Sequence, residues 1–354
     1  MSLIEVLPVV LLTGAGFTRN FGGYLASEML TEIRNEASES LKKWIDKKPL
    51  NFEALYDAAL ESGDPGLVKD MDAAVRSSFK SMDDRIRDQI KRGPYDNAIR
   101  NPPTVFGQFI SQFAGDQHQS RSFWFTLNQD LFVERAWNSG SRQINIRIPG
   151  LTNGNWFRPQ AREYDIFGDE LRERLPENQV AEFKFDGRKN PFDGVFNFIY
   201  IKLHGSVNWQ SHDGGDCLVI GTRKSEQVKN EPILDQYFDT FEKVLCRPDC
   251  RLLVMGYGFG DAHINEVICK AIVDSGMTVF VSNKMGYEQL REILQDVSLP
   301  EKTKVNLGSQ SAGEVILSAT HHIETQLVTE FYQDQYGVTG TGRKLLKKLE
   351  VLNY

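Results

Sequence analysis

The sequence has few cysteines, and their spacing does not suggest a covalent or metal-linked scaffold. Its cysteines are Cys217, Cys246, Cys250 and Cys269. Four are too few for a disulfide framework. A four-thiolate zinc site needs two close pairs, whereas only Cys246 and Cys250 lie near each other. We therefore expect reduced thiols and no bound metal.

The sequence also lacks long apolar runs and an excess of positive charge. No segment reaches about 18 consecutive apolar residues, and the first residues, MSLIEVLPVV, lack the basic region of a secretion signal. These absences predict a cytoplasmic protein without membrane contact. The net charge of -7 also argues against a broad nucleic-acid-binding surface.

What is present is an ordinary globular composition in which strand and helix patterns alternate. The 354 residues are 40% hydrophobic and 25% charged, enough for a full core and an accessory region. Buried strands are predicted in VLPVVLLTGAG, SFWFTLNQD, FNFIYIKLHGSVNW, RLLVMGYG and MTVFVSNK. Segments with helical spacing lie between several of them. This alternation favours an α/β fold with a doubly wound, Rossmann-like parallel sheet and an added helical region.

The pattern divides the chain into a main domain over residues 1–285 and a helical C-terminal region over residues 286–354. Within the main domain, residues 28–120 are predicted to be largely helical. Residues 138–195, rich in Gly, Asn, Arg and Pro, are interpreted as an insertion. The segment AGEVILSATHHIETQLVTEFYQDQY is predicted to be one long helix, and the C-terminal region is a candidate assembly surface.

Glycine or polar clusters follow four of the predicted strands. They are Gly14-Ala15-Gly16, Asn128-Gln129-Asp130, His204-Gly205-Ser206 and Gly256-Tyr257-Gly258. Ligands of open α/β sheets bind at the carboxyl ends of the strands, so we expect these clusters to surround one site. Glycine turns let backbone amides approach a pyrophosphate at the start of a helix, which predicts a phosphate-bearing ligand.

Structural interpretations of the same residues are also open. The first turn has neither the third glycine of G-x-G-x-x-G nor the lysine of a P-loop. The second turn fits a tight strand-to-helix connection, with Asp261 capping a helix that begins near Ala262, and His263 is then a structural residue. Asn128 alone could likewise cap a helix that begins at Leu131.

Taken together, these segments resemble the sirtuin superfamily. GAGFT is similar to its phosphate-and-ribose loop, TLNQD to its T-x-N-x-D motif beside the nicotinamide, and LHGS to its catalytic His-Gly. MGYGFGD is similar to a glycine-rich loop on the adenine side, and VFVSNK to the strand that brings an asparagine near the adenine ribose. The resemblance covers about residues 1–135 and 196–285 and implies NAD as the ligand.

The resemblance assigns roles to individual residues. It implies Asn128, His204 and Asp130 as catalytic residues. An amide suits holding a water or a ribose hydroxyl, and an imidazole can accept a proton near neutral pH. The carboxylate of Asp130 would bind the nicotinamide amide or orient Asn128. The implied NAD-binding residues are Gly14, Ala15, Gly16, Phe17, Thr18, Gly256, Gly258, Phe259 and Asn283.

Departures from the deacylases of the superfamily favour a different reaction. The zinc ribbon is missing, and GGYLASEM replaces the Pro-Asp-Phe-Arg stretch of the cofactor loop. KLHGSVNW and GYGFGDAHIN are most similar to sirtuin-like proteins of bacterial antiviral defence, which hydrolyse NAD.

The resemblance therefore implies an NAD hydrolase that yields nicotinamide and ADP-ribose and depletes NAD on infection. It also implies restraint by homo-oligomerisation or by a hexameric ATPase translocase partner. The alternatives are an NAD-dependent protein deacylase and a non-catalytic module that binds NAD or ADP-ribose. A nuclease subunit is a further alternative, but no spaced cluster of metal-binding carboxylates supports it.

Overall fold

A parallel sheet forms the centre of the protein. The structure, a computed structural model, describes residues 5–48, 50–91, 112–114, 120–136, 146–151, 172–181, 198–283, 286–300, 303, 305–324 and 349. Within them the strands are β1 Glu5–Val6, β2 Val9–Thr13, β3 Ser120–Thr126, β4 Ile146–Arg147, β5 Glu173–Arg174, β6 Phe198–Lys202, β7 Gly205–Gln210, β8 Asp216–Leu218, β9 Arg251–Met255, β10 Thr278–Asn283 and β11 Thr320–Glu324.

Eight strands form the main sheet, and every pairing in it is parallel. The order is β11-β10-β9-β2-β3-β6-β4, with β1 also paired to β3. All residues of β2 and of β6 are buried, as expected for parallel strands covered on both faces. The predicted α/β, doubly wound arrangement is therefore confirmed. A smaller sheet has the order β5-β7-β8.

The helices form layers against this sheet. In the described residues they are α1 Ala15–Thr18, α2 Ala26–Glu36, α3 Glu39–Ile45, α4 Phe52–Glu61, α5 Pro65–Lys91, α6 Phe132–Ala136, α7 Lys224–Asn230, α8 Pro232–Leu245, α9 Ala262–Ser275, α10 Tyr287–Gln295 and α11 Ala312–Ser318. Helices α2 to α5 pack on one another and form the added helical region, here called the helical layer. Residues 49, 92–111 and 115–119 of the region predicted to be helical lie outside the described residues.

A buried ion pair joins the helical layer to the segment that follows β3. The Arg135 guanidinium on α6 donates to both carboxylate oxygens of Asp83 on α5, at 3.0 and 2.7 Å. The exposed fractions of the two side chains are 0% and 4%. Paired donors and acceptors of this kind are strong and directional. The pair therefore fixes the position of α6, and with it the polar residues at the end of β3.

Two predicted elements are wrong in detail. The segment FNFIYIKLHGSVNW is two strands, β6 and β7, because Gly205 turns the chain with a φ of 75° immediately after His204. The long C-terminal helix ends at Ser318, and β11 follows it and pairs with β10. His321 and His322 thus lie in a strand, and the sheet continues beyond the predicted boundary at residue 285.

Parts of the predicted insertion return to the sheets. Strand β4 pairs with β6, and β5 pairs with β7, so residues 138–195 contribute to both sheets. Residues 138–145, 152–171 and 182–195 of that segment, and residues 325–348, lie outside the described residues. Among the helices that the structure describes, none combines the length and apolar character needed to span a bilayer.

Candidate active site at the carboxyl edge of the sheet

The four strand-end clusters meet at one cavity of about 270 Å³ that is open to solvent. Polar and backbone groups from the strand ends form one wall: Gly14, Ala15, Thr18, Asn128, Gln129, Asp130, His204, Gly256, Tyr257, Gly258, Gly260 and Asp261. The helical layer and the two residues before α2 supply most of the facing wall: Tyr24, Leu25, Ala26, Met29, Phe52, Glu53, Phe79 and Met82. A concave, partly apolar pocket with converging polar groups is typical of small-molecule sites.

Two glycine turns, at the ends of β2 and β9, press directly against each other. The Gly14 N–H donates to Met255 O at 3.0 Å, and the Gly16 N–H donates to Gly256 O at 2.9 Å. A β-carbon on Gly14 would lie 2.8 Å from Gly256 O, and one on Gly256 would lie 2.0 Å from Phe17 N. Gly256 also has a φ of 68°, in the left-handed region. Packing between backbones therefore requires these glycines.

Three amides of the first turn are used within the protein itself. The sequence predicts that its amides face a pyrophosphate, but those of Gly14 and Gly16 donate to the second turn, and that of Phe17 donates to Gly14 O at 2.9 Å. In the second turn, by contrast, a β-carbon on Gly258 or Gly260 would meet nothing within 4 Å. Both glycines line the cavity, so a ligand can approach the backbone closely there.

The predicted NAD-binding residues divide into two groups. Gly14, Ala15, Thr18, Gly256 and Gly258 line the cavity, whereas Gly16, Phe17, Phe259 and Asn283 are not part of its lining. Gly16 packs against the second glycine turn. The other three are buried: Phe17 packs on Phe21, Trp124 and Phe132, Phe259 packs on Tyr257, and Asn283 accepts a hydrogen bond from His322.

Asn128 is held by the first glycine turn. Its Nδ2 donates to Gly14 O at 3.0 Å and to Thr18 Oγ1 at 3.4 Å. Both amide hydrogens are therefore used, while no group among the described residues donates to Asn128 Oδ1. Because Asn128 lines the cavity, this oxygen is the acceptor that it can offer to a water or a ribose hydroxyl.

Asp130, rather than Asn128, caps the short helix α6. Its Oδ1 accepts from the Phe132 N–H at 2.9 Å. Burial raises the pKa of Asp130, and the opposing charge of Lys202 offsets part of that effect. The fully buried Lys202 donates to the Asp130 carbonyl, to Glu134 Oε1 at 2.9 Å and to Ser206 Oγ at 2.8 Å. This lysine thus links the polar segments that follow β3 and β6.

His204 is hydrogen-bonded to a second histidine at the start of α9. The Nε2 atoms of His204 and His263 lie 3.0 Å apart, and both side chains are buried. Gln129 Nε2 supports the same turn, because it donates to His204 O at 3.0 Å and to Val219 O at 2.8 Å. The predicted catalytic residues Asn128, Asp130 and His204 are therefore brought together, although their roles remain predictions.

A charged network lies beside the two histidines. Lys224 Nζ donates to Asp261 Oδ1 at 2.6 Å and to Glu53 Oε1 at 2.7 Å. Burial works to raise the pKa of Asp261, but His204, Lys224 and His263 lower it below its ordinary value. Asp261 occupies the N-cap position of α9, yet its side chain caps no amide. The capping interpretation of Asp261 is therefore wrong, because its carboxylate pairs with Lys224 instead.

Burial keeps both imidazoles neutral at physiological pH. It lowers the pKa of His204 to about 3, with Asp261 opposing and His263 and Lys224 adding to the effect. It lowers the pKa of His263 to about 4, again against the pull of Asp261. His204 is therefore neutral and lines the cavity, and it is a weaker base than the sequence predicts.

The two histidines and Asp261 also have the spacing of a metal site. One ligand atom of each residue lies within 4.8 Å of those of the other two. No second group of this kind occurs among the described residues. Lys224 places a positive charge 2.6 Å from the Asp261 carboxylate, which opposes a cation at this position. The four cysteines are free, and none belongs to such a group.

Several residues of the cavity were not predicted as functional. Lys224 and Glu53 belong to none of the quoted motifs, and they meet across a contact remote in sequence. Gln129 lies within TLNQD, but the sequence assigned it no role. His263 was also not predicted as functional. Its position in GYGFGDAHIN, two residues after Asp261 at the start of a helix, is the sequence feature that places it near the site. Helix starts that follow the strands of an open sheet face its ligand site.

Comparison with known proteins supports the interpretation of these motifs. The model of a family described as SIR2-like domain matches residues 122–299, half of the chain. The match includes Asn128, His204 and the second glycine turn, whereas the first turn precedes it. Comparison with curated proteins finds no match.

We expect Gly256→Ala to destabilise the protein more than Gly276→Ala. Both glycines have a φ of 68°, but a β-carbon at Gly276 meets nothing within 4 Å. Gly276→Ala should therefore lower the free energy of unfolding by only about 1–2 kcal/mol, the cost of a left-handed residue. Urea unfolding should show at least twice that loss for Gly256→Ala. Equal losses would contradict the packing of the two turns.

The buried histidines predict a loss of stability in mild acid. Unfolding exposes His204 and His263, so below about pH 6.5 the unfolded state binds protons that the folded state excludes down to about pH 4. Each should therefore lower the free energy of unfolding by about 2 kcal/mol between pH 7 and pH 5. In urea titrations, the double variant His204→Gln/His263→Gln should lose less free energy of unfolding than the wild-type protein between pH 7 and pH 5. The same pH dependence in both proteins would show that these imidazoles are not buried neutral.

Proposed function

The chain belongs to the SIR2-like domain family, and from that premise we propose that it hydrolyses NAD to nicotinamide and ADP-ribose. One observation carries the proposal: Asn128, His204 and both glycine turns line a single cavity at the carboxyl ends of parallel strands. Open α/β sheets bind dinucleotides in this place. The cavity, of about 270 Å³ and open to solvent, is close to the lower end of the size range of small-molecule sites.

The charges around the cavity suit cleavage of the nicotinamide–ribose bond. This reaction develops positive charge on the ribose, as glycoside cleavage does. Lys224 lies between the carboxylates of Asp261 and Glu53, so the three groups together carry one excess negative charge. A partly buried site with fixed negative charge stabilises a developing cation more than water does.

Asn128 and His204 supply the polar groups that a hydrolase needs. The Oδ1 of Asn128 accepts a hydrogen bond from a ribose hydroxyl or from the attacking water, while its Nδ2 remains fixed to the first glycine turn. The neutral imidazole of His204 accepts the proton that is released. Both side chains are buried, so little reorientation is needed during the reaction.

The cysteines favour hydrolysis over protein deacylation. The deacylases that the sequence resembles carry a zinc ribbon made of two cysteine pairs. Here Cys217 is buried on β8, Cys250 immediately precedes β9, and no thiol joins a metal-capable cluster among the described residues. The cysteines of this chain therefore do not reproduce the two pairs of that zinc ribbon.

We further propose a role in antiviral defence, in which the enzyme depletes NAD on infection. The support is the resemblance of KLHGSVNW and GYGFGDAHIN to sirtuin-like defence proteins. Uncontrolled NAD hydrolysis would harm the host, so homo-oligomerisation or a hexameric ATPase translocase partner would restrain it in a cytoplasmic location.

The test is incubation of the purified protein with NAD, followed by chromatographic separation of the products. We expect nicotinamide and ADP-ribose without any added peptide. Asn128→Ala and His204→Ala should each lose about 10²-fold or more in turnover, since each removes a group that acts on the reacting atoms. His212→Ala is the matched control, because this histidine pairs with Glu231 outside the cavity lining.

Other outcomes would contradict the proposal. Turnover that requires an acylated peptide would identify a deacylase. Calorimetric binding of NAD without product formation would identify a binding module. Wild-type turnover in both Asn128→Ala and His204→Ala would exclude this cavity as the active site.

A further inference from the structure

His263 lies behind His204, away from the cavity. It is on the first turn of α9, it is buried, and it is not part of the cavity lining. The two rings face each other through their Nε2 atoms, 3.0 Å apart, with ring centroids separated by 5.2 Å. Among the described residues, His263 is the hydrogen-bond partner of the His204 ring. The remaining ring nitrogen, Nδ1, is therefore the atom with which His204 can act in the cavity.

The short distance between the nitrogens fixes how protons are distributed. Only one proton fits between two nitrogens that share a hydrogen bond, and each neutral imidazole carries one proton. When His204 Nε2–H is the donor, His204 Nδ1 keeps its lone pair and can accept a proton. His263 then accepts at Nε2 and carries its own proton on Nδ1.

We propose that His204 and His263 form a two-histidine proton relay, in which His263 receives the proton that His204 displaces. The inference rests on the proposed function, in which His204 takes a proton from a water or a ribose hydroxyl. The O–H bond of that group breaks as a bond to His204 Nδ1 forms. The His204 Nε2–H bond then breaks as the proton binds His263 Nε2. His204 is again neutral, and the positive charge is on His263.

The surroundings favour the charge on His263. A carboxylate oxygen of Asp261 lies within 4.8 Å of a ring nitrogen of each histidine. Burial is the main cause that lowers the pKa of His263, while Asp261 and Glu266 act to raise it and Lys224 acts to lower it. Asp261 acts on both rings, whereas Glu266 acts on His263 alone. Two carboxylates therefore stabilise the imidazolium when the proton is on His263, and one when it is on His204.

The tautomers provide a test that is independent of any reaction. In protein with ¹⁵N-labelled histidine, long-range ¹H–¹⁵N spectra distinguish the protonated nitrogen of each ring, and His204→Gln and His263→Gln assign the signals. We expect His204 to be protonated at Nε2 and His263 at Nδ1. Protonation of His204 at Nδ1 would overturn the relay, as would one equivalent of zinc in the isolated protein, because the metal would occupy both Nε2 lone pairs.

Kinetics of NAD cleavage separate a relay from simple positioning. His263→Gln keeps an acceptor for the His204 N–H but cannot bind a proton, whereas His263→Phe removes both properties. For both variants we expect kcat to fall about 10- to 100-fold with KM little changed, together with an altered pH–rate profile. The matched control is His212→Gln, which changes a histidine outside the cavity lining. Thermal melting would verify that each variant is folded.

The outcomes distinguish this inference from the proposed function. Wild-type kcat and pH dependence in His263→Gln would overturn the relay and reduce His263 to an orienting residue. If the wild-type protein releases no nicotinamide, NAD hydrolysis is wrong, but the spectra still decide whether His204 Nδ1 is available to accept a proton.

Discussion

The direct contact between two glycine turns is the constraint on which the site depends. Because Gly14 and Gly16 lie against Gly256 with no side chain between them, the ends of β2 and β9 close one side of the cavity. A β-carbon at Gly14 or Gly256 would separate the turns and displace the carbonyl of Gly14. That carbonyl holds Asn128, so the backbone contact and the position of a candidate catalytic amide are coupled. The first role of these glycines is therefore to let the two turns pack against each other.

The remaining polar groups are fixed in the same way, each by a buried partner on a neighbouring segment. Lys202 joins the chain after β3 to the chain after β6, and the His204 ring is held by His263 on α9. Preorganisation of this kind lowers the reorganisation that a reaction requires. The helical layer forms most of the facing wall, and the Arg135–Asp83 pair joins it to helix α6, which follows β3. The chemistry thus depends on a rigid sheet edge covered by a separate helical layer.

The sequence predicted the placement of the strand ends well, because a buried run of apolar residues precedes each polar cluster. It could not predict β11: the residues THHIE continue a helical pattern, and their strand conformation depends on pairing with β10. Contacts remote in sequence were missed for the same reason. Lys224 meets Glu53 across 171 positions, and His204 meets His263 across 59. The first glycine turn was recognised, but packing against the second turn, which no local pattern reveals, determines where its amides point.

The central claim is that one dinucleotide binds where Asn128, His204 and the two glycine turns meet. A crystal structure with bound ADP-ribose tests this claim most directly. The account predicts the ligand in the cavity between the sheet edge and the helical layer, with its ribose beside Asn128 and His204 and its backbone contacts at Gly258 or Gly260. ADP-ribose bound at another place, or Asn128 and His204 facing separate cavities, would contradict it.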